Sequence, residues 1–279
     1  MKKRIITGIC IFVLLVSAIL LRQLSTIIFD ILIFAVMLAA AGELYYCFTQ
    51  KEIFPMAIPI LVTFAGIVGG YYILGNIGIA VAIFLGFLVA CINYLFIKNA
   101  PLDTLLTTMF IIVYPMGLLS FALLLNHSFG GFLGIVLTIL ISMLTDTFAY
   151  FIGVTYGKRK LCPEISRNKT VAGFFGGIMG GILGAVLCYV VFQGLGWFAN
   201  TVDVFYINLS LNTVIWVYIG AGLVGALLTT FGDLFASVLK RRCEVKDFGK
   251  IFPGHGGFLD RIDGLMWVIP MVVAIFYIF

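Results

Sequence analysis

The sequence predicts an all-α polytopic membrane protein with about nine transmembrane helices and a cytoplasmic N-terminus. Three observations carry this reading. Of the 279 residues 63% are hydrophobic and 10% charged, with a mean hydropathy of +1.20, whereas a soluble domain carries about 25% charged residues. Apolar runs of roughly 18 or more residues recur from end to end, each long enough to cross a ~30 Å hydrocarbon core as a helix. Ten-residue stretches of alternating polarity are absent, which argues against a barrel.

The spans fall at about 5–21, 25–48, 54–74, 76–97, 102–125, 131–156, 172–199, 210–239 and 264–279. Met1-Lys2-Lys3-Arg4 before the first run resembles the start of a signal peptide. No clean small-x-small cleavage site follows and the second run begins at once, so an uncleaved first helix is expected. Placed on alternate sides of nine spans, sixteen of the 17 Lys and Arg share one side and Arg22 stands alone on the other. The positive-inside rule then puts the N-terminus and both long charged loops, 157–171 and 240–263, in the cytoplasm. The net charge of +5 belongs to these membrane-flanking loops and does not point to nucleic acid. Six cysteines (10, 47, 91, 162, 188, 243) are scattered without a Cys-x-x-Cys pair, so they read as packing residues rather than a zinc site or disulfide framework.

Residues 1–125 form an N-terminal block of helices, a scaffold or a dimer or lipid contact. Asp30 and Glu43 fall within or near its second span, where a carboxylate is costly and usually functional. Glu43 also fits an interfacial position beside Tyr45 and Tyr46, and Asp30 a bridge between helices. Asp103 follows Pro101 at a helix start, where an acid complements the dipole, and His127 fits a solvated outer loop.

The second block, 126–279, changes character. Asp146, Tyr150, Gly153 and Gly157 recur at three or four residues and share one helix face. Lys158-Arg159-Lys160 follow, then a turn at Pro163 and Ser166-Arg167-Asn168-Lys169-Thr170. These cations and hydroxyl and amide donors suit a polyphosphate, or serve only as a positive-inside loop. Gly173, Gly176, Gly177, Gly180, Gly181 and Gly184 make a stripe that permits close helix packing, with a phosphate cradle as the alternative for its first glycines. Such faces also permit a homodimer. The 200–209 loop carries Asp203 and no Lys or Arg, as an external loop should.

Charge is concentrated between Asp233 and Asp263, which hold six of the 17 Lys and Arg and five of the 12 acids. Asp233, Ser237, Lys240 and Arg241 stand at offsets 0, 4, 7 and 8, one stripe running from membrane depth to the surface. Asp233 lies inside an apolar segment, where a bound divalent cation or a neighbouring basic side chain must offset its burial. Gly249, Pro253, Gly254, Gly256 and Gly257 then let backbone amides approach a ligand or turn left-handed. Asp260 and Asp263 can point the same way, so with Asp233 three carboxylates can converge on a hard cation such as magnesium. Nearby Lys and Arg would hold phosphate oxygens.

The order Ser237-x-x-Lys240-Arg241, Lys246-Asp247-x-Gly249 and Phe252-Pro253-Gly254-His255-Gly256-Gly257-Phe258-x-Asp260-Arg261-Ile262-Asp263 resembles the signature of the phosphatidate cytidylyltransferases (CDP-diacylglycerol synthases). The resemblance extends to Asp146, Tyr150, Gly153, Pro163, Ser166, Lys169 and Thr170, and covers roughly 140–279. Arg167 and Ala172 depart from it, standing where the family commonly has proline and glutamate.

The resemblance implies a cell-membrane enzyme of phospholipid biosynthesis, working at the cytoplasmic face. It turns CTP and phosphatidic acid into CDP-diacylglycerol and pyrophosphate, with Mg2+ as cofactor and a second cation completing a two-metal clamp. On this reading Asp233, Asp260 and Asp263 hold metal, with Asp146 behind them as a fourth. Lys240, Arg241, Lys246, Lys169 and Arg261 contact phosphates, and Ser166 and Ser237 contact substrate. His255, with Gly256 and Gly257, shapes the glycine loop or contacts phosphate. The nearest alternative is a CTP-dependent prenol or dolichol kinase. A transporter using intramembrane carboxylates is the non-enzymatic one.

Overall fold

The computed structural model describes the backbone of residues 2–194, 211–252 and 256–278, and their side chains except at 2–7, 9–12, 167, 194, 211 and 212. Pro253, Gly254, His255 and the 200–209 loop with Asp203 lie outside the described residues. Among the described residues seven helices are long and apolar enough to cross a membrane. The expected end spans fall on two further helices, α1 (Lys2–Arg22) and α11 (Leu265–Ile278), the latter preceded by the one-turn helix α10 (Leu259–Ile262). With 14 residues, α11 falls short of the ~20 that a perpendicular span takes.

Contacts divide the chain into two units, Met1–Leu124 with Arg242–Arg261 and Leu125–Arg241 with Ile262–Phe279. The first begins with α1, α2 (Thr26–Thr49), α3 (Ala57–Leu74) and α4 (Asn76–Phe96). The Ser25 hydroxyl caps α2 by accepting the Ile27 N–H at 3.3 Å, a donor the first helical turn otherwise leaves unpaired. Gly75 ends α3 and starts α4 at φ +61°, a backbone conformation that side chains disfavour. The stretch Leu102–His127 comprises α5 (Leu102–Ile111), a π-helical turn Ile112–Gly117 and α6 (Leu118–His127). Pro115 sits inside that turn. Proline lacks an N–H and clashes with the preceding turn, and one wide turn relieves both constraints.

Several polar groups at membrane depth have partners, as a medium without water favours. Asp30 is fully buried and accepts the Tyr72 hydroxyl at 2.6 Å, bridging α2 and α3. The hydroxyls of Thr63 and Thr138 return to the carbonyls of Pro59 and Gly134, each at 2.8 Å.

The second unit is built on α7 (Gly131–Tyr156), α8 (Val171–Tyr189), α9 (Leu211–Arg242) and α11. All six glycines of the stripe on α8 are buried. A Cβ on Gly184 would lie 2.7 Å from the Leu140 carbonyl of α7, and one on Gly176 2.7 Å from Ile152 Cβ. On the α9 side, a Cβ on Gly181 would lie 2.7 Å from Ala226 Cβ. The stripe brings backbone against backbone, the close-packing device of membrane helices.

Between α7 and α8 the basic loop is a hairpin. Strands β1 (Lys160–Cys162) and β2 (Ser166–Thr170) pair antiparallel. The Ile165 N–H closes their turn on the Cys162 carbonyl at 3.2 Å. Pro163 stands second in this turn, where its fixed φ belongs. At the hairpin's exit Thr170 caps α8, its hydroxyl accepting the Gly173 N–H at 3.1 Å.

Gly184→Ala is expected to destabilise the detergent-solubilised protein by about 1–3 kcal/mol, the range for overpacking. Gly220→Ala, where a Cβ meets nothing within 4 Å, should be neutral or stabilising. Thermal unfolding of both variants checks this, and equal melting temperatures would remove the packing role of the stripe.

Candidate active site

In the second unit the site is assembled by two glycines. A Cβ on Gly232 of α9 would lie 2.5 Å from the Asp263 carbonyl and 3.0 Å from Gly264 Cα. One on Gly264 would lie 2.8 Å from Thr229 Cγ2. Glycine at both positions therefore lets α9 and the start of α11 touch through their backbones. Trp267 seals this contact, its ring centroid 4.9 Å from that of Phe231 and 5.7 Å from that of Phe235. The result puts Asp233, next to Gly232, beside Asp263, next to Gly264.

The hairpin supplies the countercharge. Lys169, late in β2, forms an ion pair with Asp233 and donates to the Thr230 carbonyl at 3.5 Å. Both partners are part-buried. A cavity of about 650 Å3 opens here, within the size range of small-molecule sites. Asp146, Tyr150, Gly153 and Gly157 line it along α7, Lys160, Ser166, Asn168, Lys169 and Thr170 from the hairpin, Gly173 from α8, and Thr230 and Asp233 from α9. Ser237 and Lys240 follow Asp233 half-buried on α9, and Arg241 is exposed.

Carboxylates crowd this end of the unit. Desolvation first, then the neighbouring Asp233 carboxylate, push the Asp263 carboxyl up to about 7, with Asp146 adding to the rise. The Lys240 ammonium and the Gly264 N–H oppose it. Like charges held together in this way favour a proton or a cation between them. Among the described residues no three His, Cys, Asp or Glu side chains form a ready-made metal cage. Magnesium does not need one, since it keeps several waters and takes one or two carboxylates together with substrate phosphates. The oxygen donors of Asp233 and Asp263, with Asp146 near, fit that demand.

The first unit carries the remaining predicted residues. Its segment Arg242–Arg261 is anchored by Phe248 and Leu259, 2% and 0% exposed. Asp260 Oδ2 accepts the N–H groups of Phe248 at 2.9 Å and Gly257 at 3.0 Å. Gly256, at φ +81°, is the left-handed turn that aims the Gly257 N–H at Asp260. The Phe252 N–H closes the loop onto the Gly256 carbonyl at 2.9 Å. This carboxylate oxygen thus serves the loop's own backbone, and the Gly257 amide is directed inward. Lys246 and Arg261 are exposed. His255 lies outside the described residues.

Sequence reasoning missed two participants. Thr230 meets Lys169 through its backbone carbonyl, which no side-chain pattern announces. Glu43 accepts the N–H groups of Phe258 and Leu259, both at 2.9 Å. Its only signal was a carboxylate in an apolar helix, with nothing to name a partner more than 200 residues away.

The chain is similar in sequence to known proteins. A protein of Staphylococcus aureus (strain COL) named phosphatidate cytidylyltransferase is 39% identical over 133 residues, covering 48% of this chain and 45% of that protein. A Staphylococcus epidermidis protein of the same name (strain ATCC 12228 / FDA PCI 1200) is 41% identical over 138 residues, covering 50% and 46%. A Thermotoga maritima protein, again so named, is 34% identical over 168 residues, covering 60% and 57%. The chain thus spans about half the length of the curated relatives it matches. The profile described as "Cytidylyltransferase family" matches residues 2–279, and the chain belongs to that family.

Proposed function

We propose that this chain transfers the cytidylyl group of CTP to phosphatidic acid, giving CDP-diacylglycerol and pyrophosphate. The observation that carries the reading is the cluster of Asp146, Asp233 and Asp263 with Lys169 and Lys240 at one end of the second unit. The three relatives named phosphatidate cytidylyltransferase supply the substrate class.

In the proposed reaction an oxygen of the lipid phosphate attacks the α-phosphorus of CTP. The bond from that phosphorus to the oxygen bridging to the β-phosphate breaks in line, and pyrophosphate leaves with the electron pair. The attacking phosphomonoester is already ionised near neutral pH, so the step calls for positioning and charge stabilisation rather than a strong base. Lys169 and Lys240 would take phosphate oxygens, Lys169 exchanging its Asp233 partner for a substrate oxygen. Ser166, Asn168 and Lys160 add donors around the cavity. Asp260 keeps the glycine loop in shape, Arg241 offers an exposed cation for the pyrophosphate, and the signature resemblance supports a phosphate role for Lys246 and Arg261. Mg2+, held by Asp233 and Asp263 with Asp146 in reach, would neutralise the triphosphate and present its α-phosphorus.

We also infer the nine-span arrangement with a cytoplasmic N-terminus. It is supported by the segregation of sixteen of 17 cations, and it puts the hairpin and the glycine loop where CTP is found. The acyl chains of the substrate can then stay in the bilayer while the phosphate enters at headgroup depth.

Purified protein given α-labelled CTP is expected to release pyrophosphate and label lipid only when phosphatidic acid is supplied. Release of CDP with a prenol acceptor would favour a kinase instead, and uptake into vesicles without CTP turnover a transporter. Asp263→Asn should lower kcat by roughly 10²–10³-fold, the order lost with one preorganised electrostatic group. Retained activity at saturating magnesium would remove Asp263 from the site. Lys169→Ala should raise KM for CTP by about tenfold, equivalent to one lost charge-assisted contact, and unchanged steady-state kinetics would reject its phosphate role.

A further inference from the structure

Two residues on one face of α2 and one just past its end hold the segment Arg242–Arg261. Glu43, Cys47 and Lys51 are spaced by four, so they share a stripe at the end of the helix and just beyond it. Glu43 accepts the Phe258 and Leu259 N–H groups at 2.9 Å each. Cys47 is in hydrogen-bond contact with Cys243, and both are buried. Lys51 forms an ion pair with Glu244. The stripe therefore grips the segment at its beginning and at the far side of its glycine turn.

Glu43 is the least replaceable of the three. It is 6% exposed, and a buried carboxylate persists only where its oxygens are answered. Its two oxygens take separate amides, and the loop is shaped around the carboxylate on both arms. A Cβ on Gly249 or on Gly257 would strike the Glu43 side chain. Asp260 takes the Gly257 and Phe248 amides, so two acids consume the N–H groups of three successive residues, 257 to 259. With those amides turned inward, residues 257 to 259 cannot offer them to a ligand, and the exposed side chains of Lys246 and Lys250 are cations the segment presents. Where those cations sit is then decided by Glu43.

We propose that Glu43 is a positioning residue for the reaction, and that the Glu43–Cys47–Lys51 stripe of α2 is the mount on which the glycine-rich loop is set. The proposal rests on the cytidylyltransferase reading for what the loop binds, and on the contacts above for the mounting itself. Glu43 touches no substrate. It acts by fixing where the loop presents its cations to the phosphates of a nucleotide.

The test uses the full chain in detergent micelles, comparing wild type with Glu43→Ala, Glu43→Gln and Gly257→Ala. Glu43→Ala is expected to raise KM for CTP about tenfold or more, the order lost when a partner that orients a binding group is removed. Amide hydrogen exchange should accelerate across 244–260 and stay unchanged in the helices of the second unit. Glu43→Gln keeps one acceptor and should fall between wild type and Glu43→Ala in both readouts. Gly257→Ala presses a methyl against the carboxylate from the loop side and should reproduce the Glu43→Ala pattern even if the α2 variant is produced poorly. Unchanged exchange across 244–260 in Glu43→Ala, or exchange raised evenly through all helices, overturns the proposal. A wild-type protein that exchanges as described yet transfers no cytidylyl group sinks the functional reading and leaves the mount standing.

Discussion

A carboxylate at membrane depth must be answered, and the structure follows from how each is answered. Asp30 takes a tyrosine hydroxyl, Glu43 two backbone amides, and Asp233 a lysine. The first joins two helices and the second holds a loop. Only the third is answered by a mobile cation beside other acids in a cavity. An unpaired charge in hydrocarbon costs several kcal/mol, so each of these pairings also dictates which segments can lie together. In the proposed reaction the chemistry falls where the answer is exchangeable, because a lysine can be traded for substrate phosphate while a backbone amide cannot be traded at all.

Glycine does the corresponding work for the apolar surfaces. The α8 stripe and the Gly232–Gly264 contact let backbones meet where any larger residue would hold them apart. In lipid there is no hydrophobic drive between helices, and close van der Waals packing takes its place. The separation of Asp233 from Asp263 is thus set by main-chain contact rather than by side chains that could repack.

Much of this was legible in the residues themselves. Hydropathy located the long helices, since an apolar run of span length has few other uses, and the acids stood out because they interrupt such runs. The small elements were hidden. Nothing in Lys158 to Thr170 alternates strongly enough to mark strands of three and five residues, and the hairpin forms because Pro163 turns the chain. The function of Glu43 was hidden for another reason. Spacing rules see only near neighbours, and its partners lie 215 and 216 residues further on. Asp260 read as a metal ligand from its spacing to Asp263 and its place in the signature, and its Oδ2 also accepts two amides that no side-chain pattern reveals.

Two short strands alone make a marginal structure in water. The hairpin between α7 and α8 therefore leans on the electrostatic tether from Lys169 to α9 for its posture. A nucleotide that draws the lysine away would loosen the ribbon above the cavity at the moment of entry. On the proposed reaction, departure of the product would return Lys169 to Asp233, tying the posture of the ribbon to occupancy of the cavity.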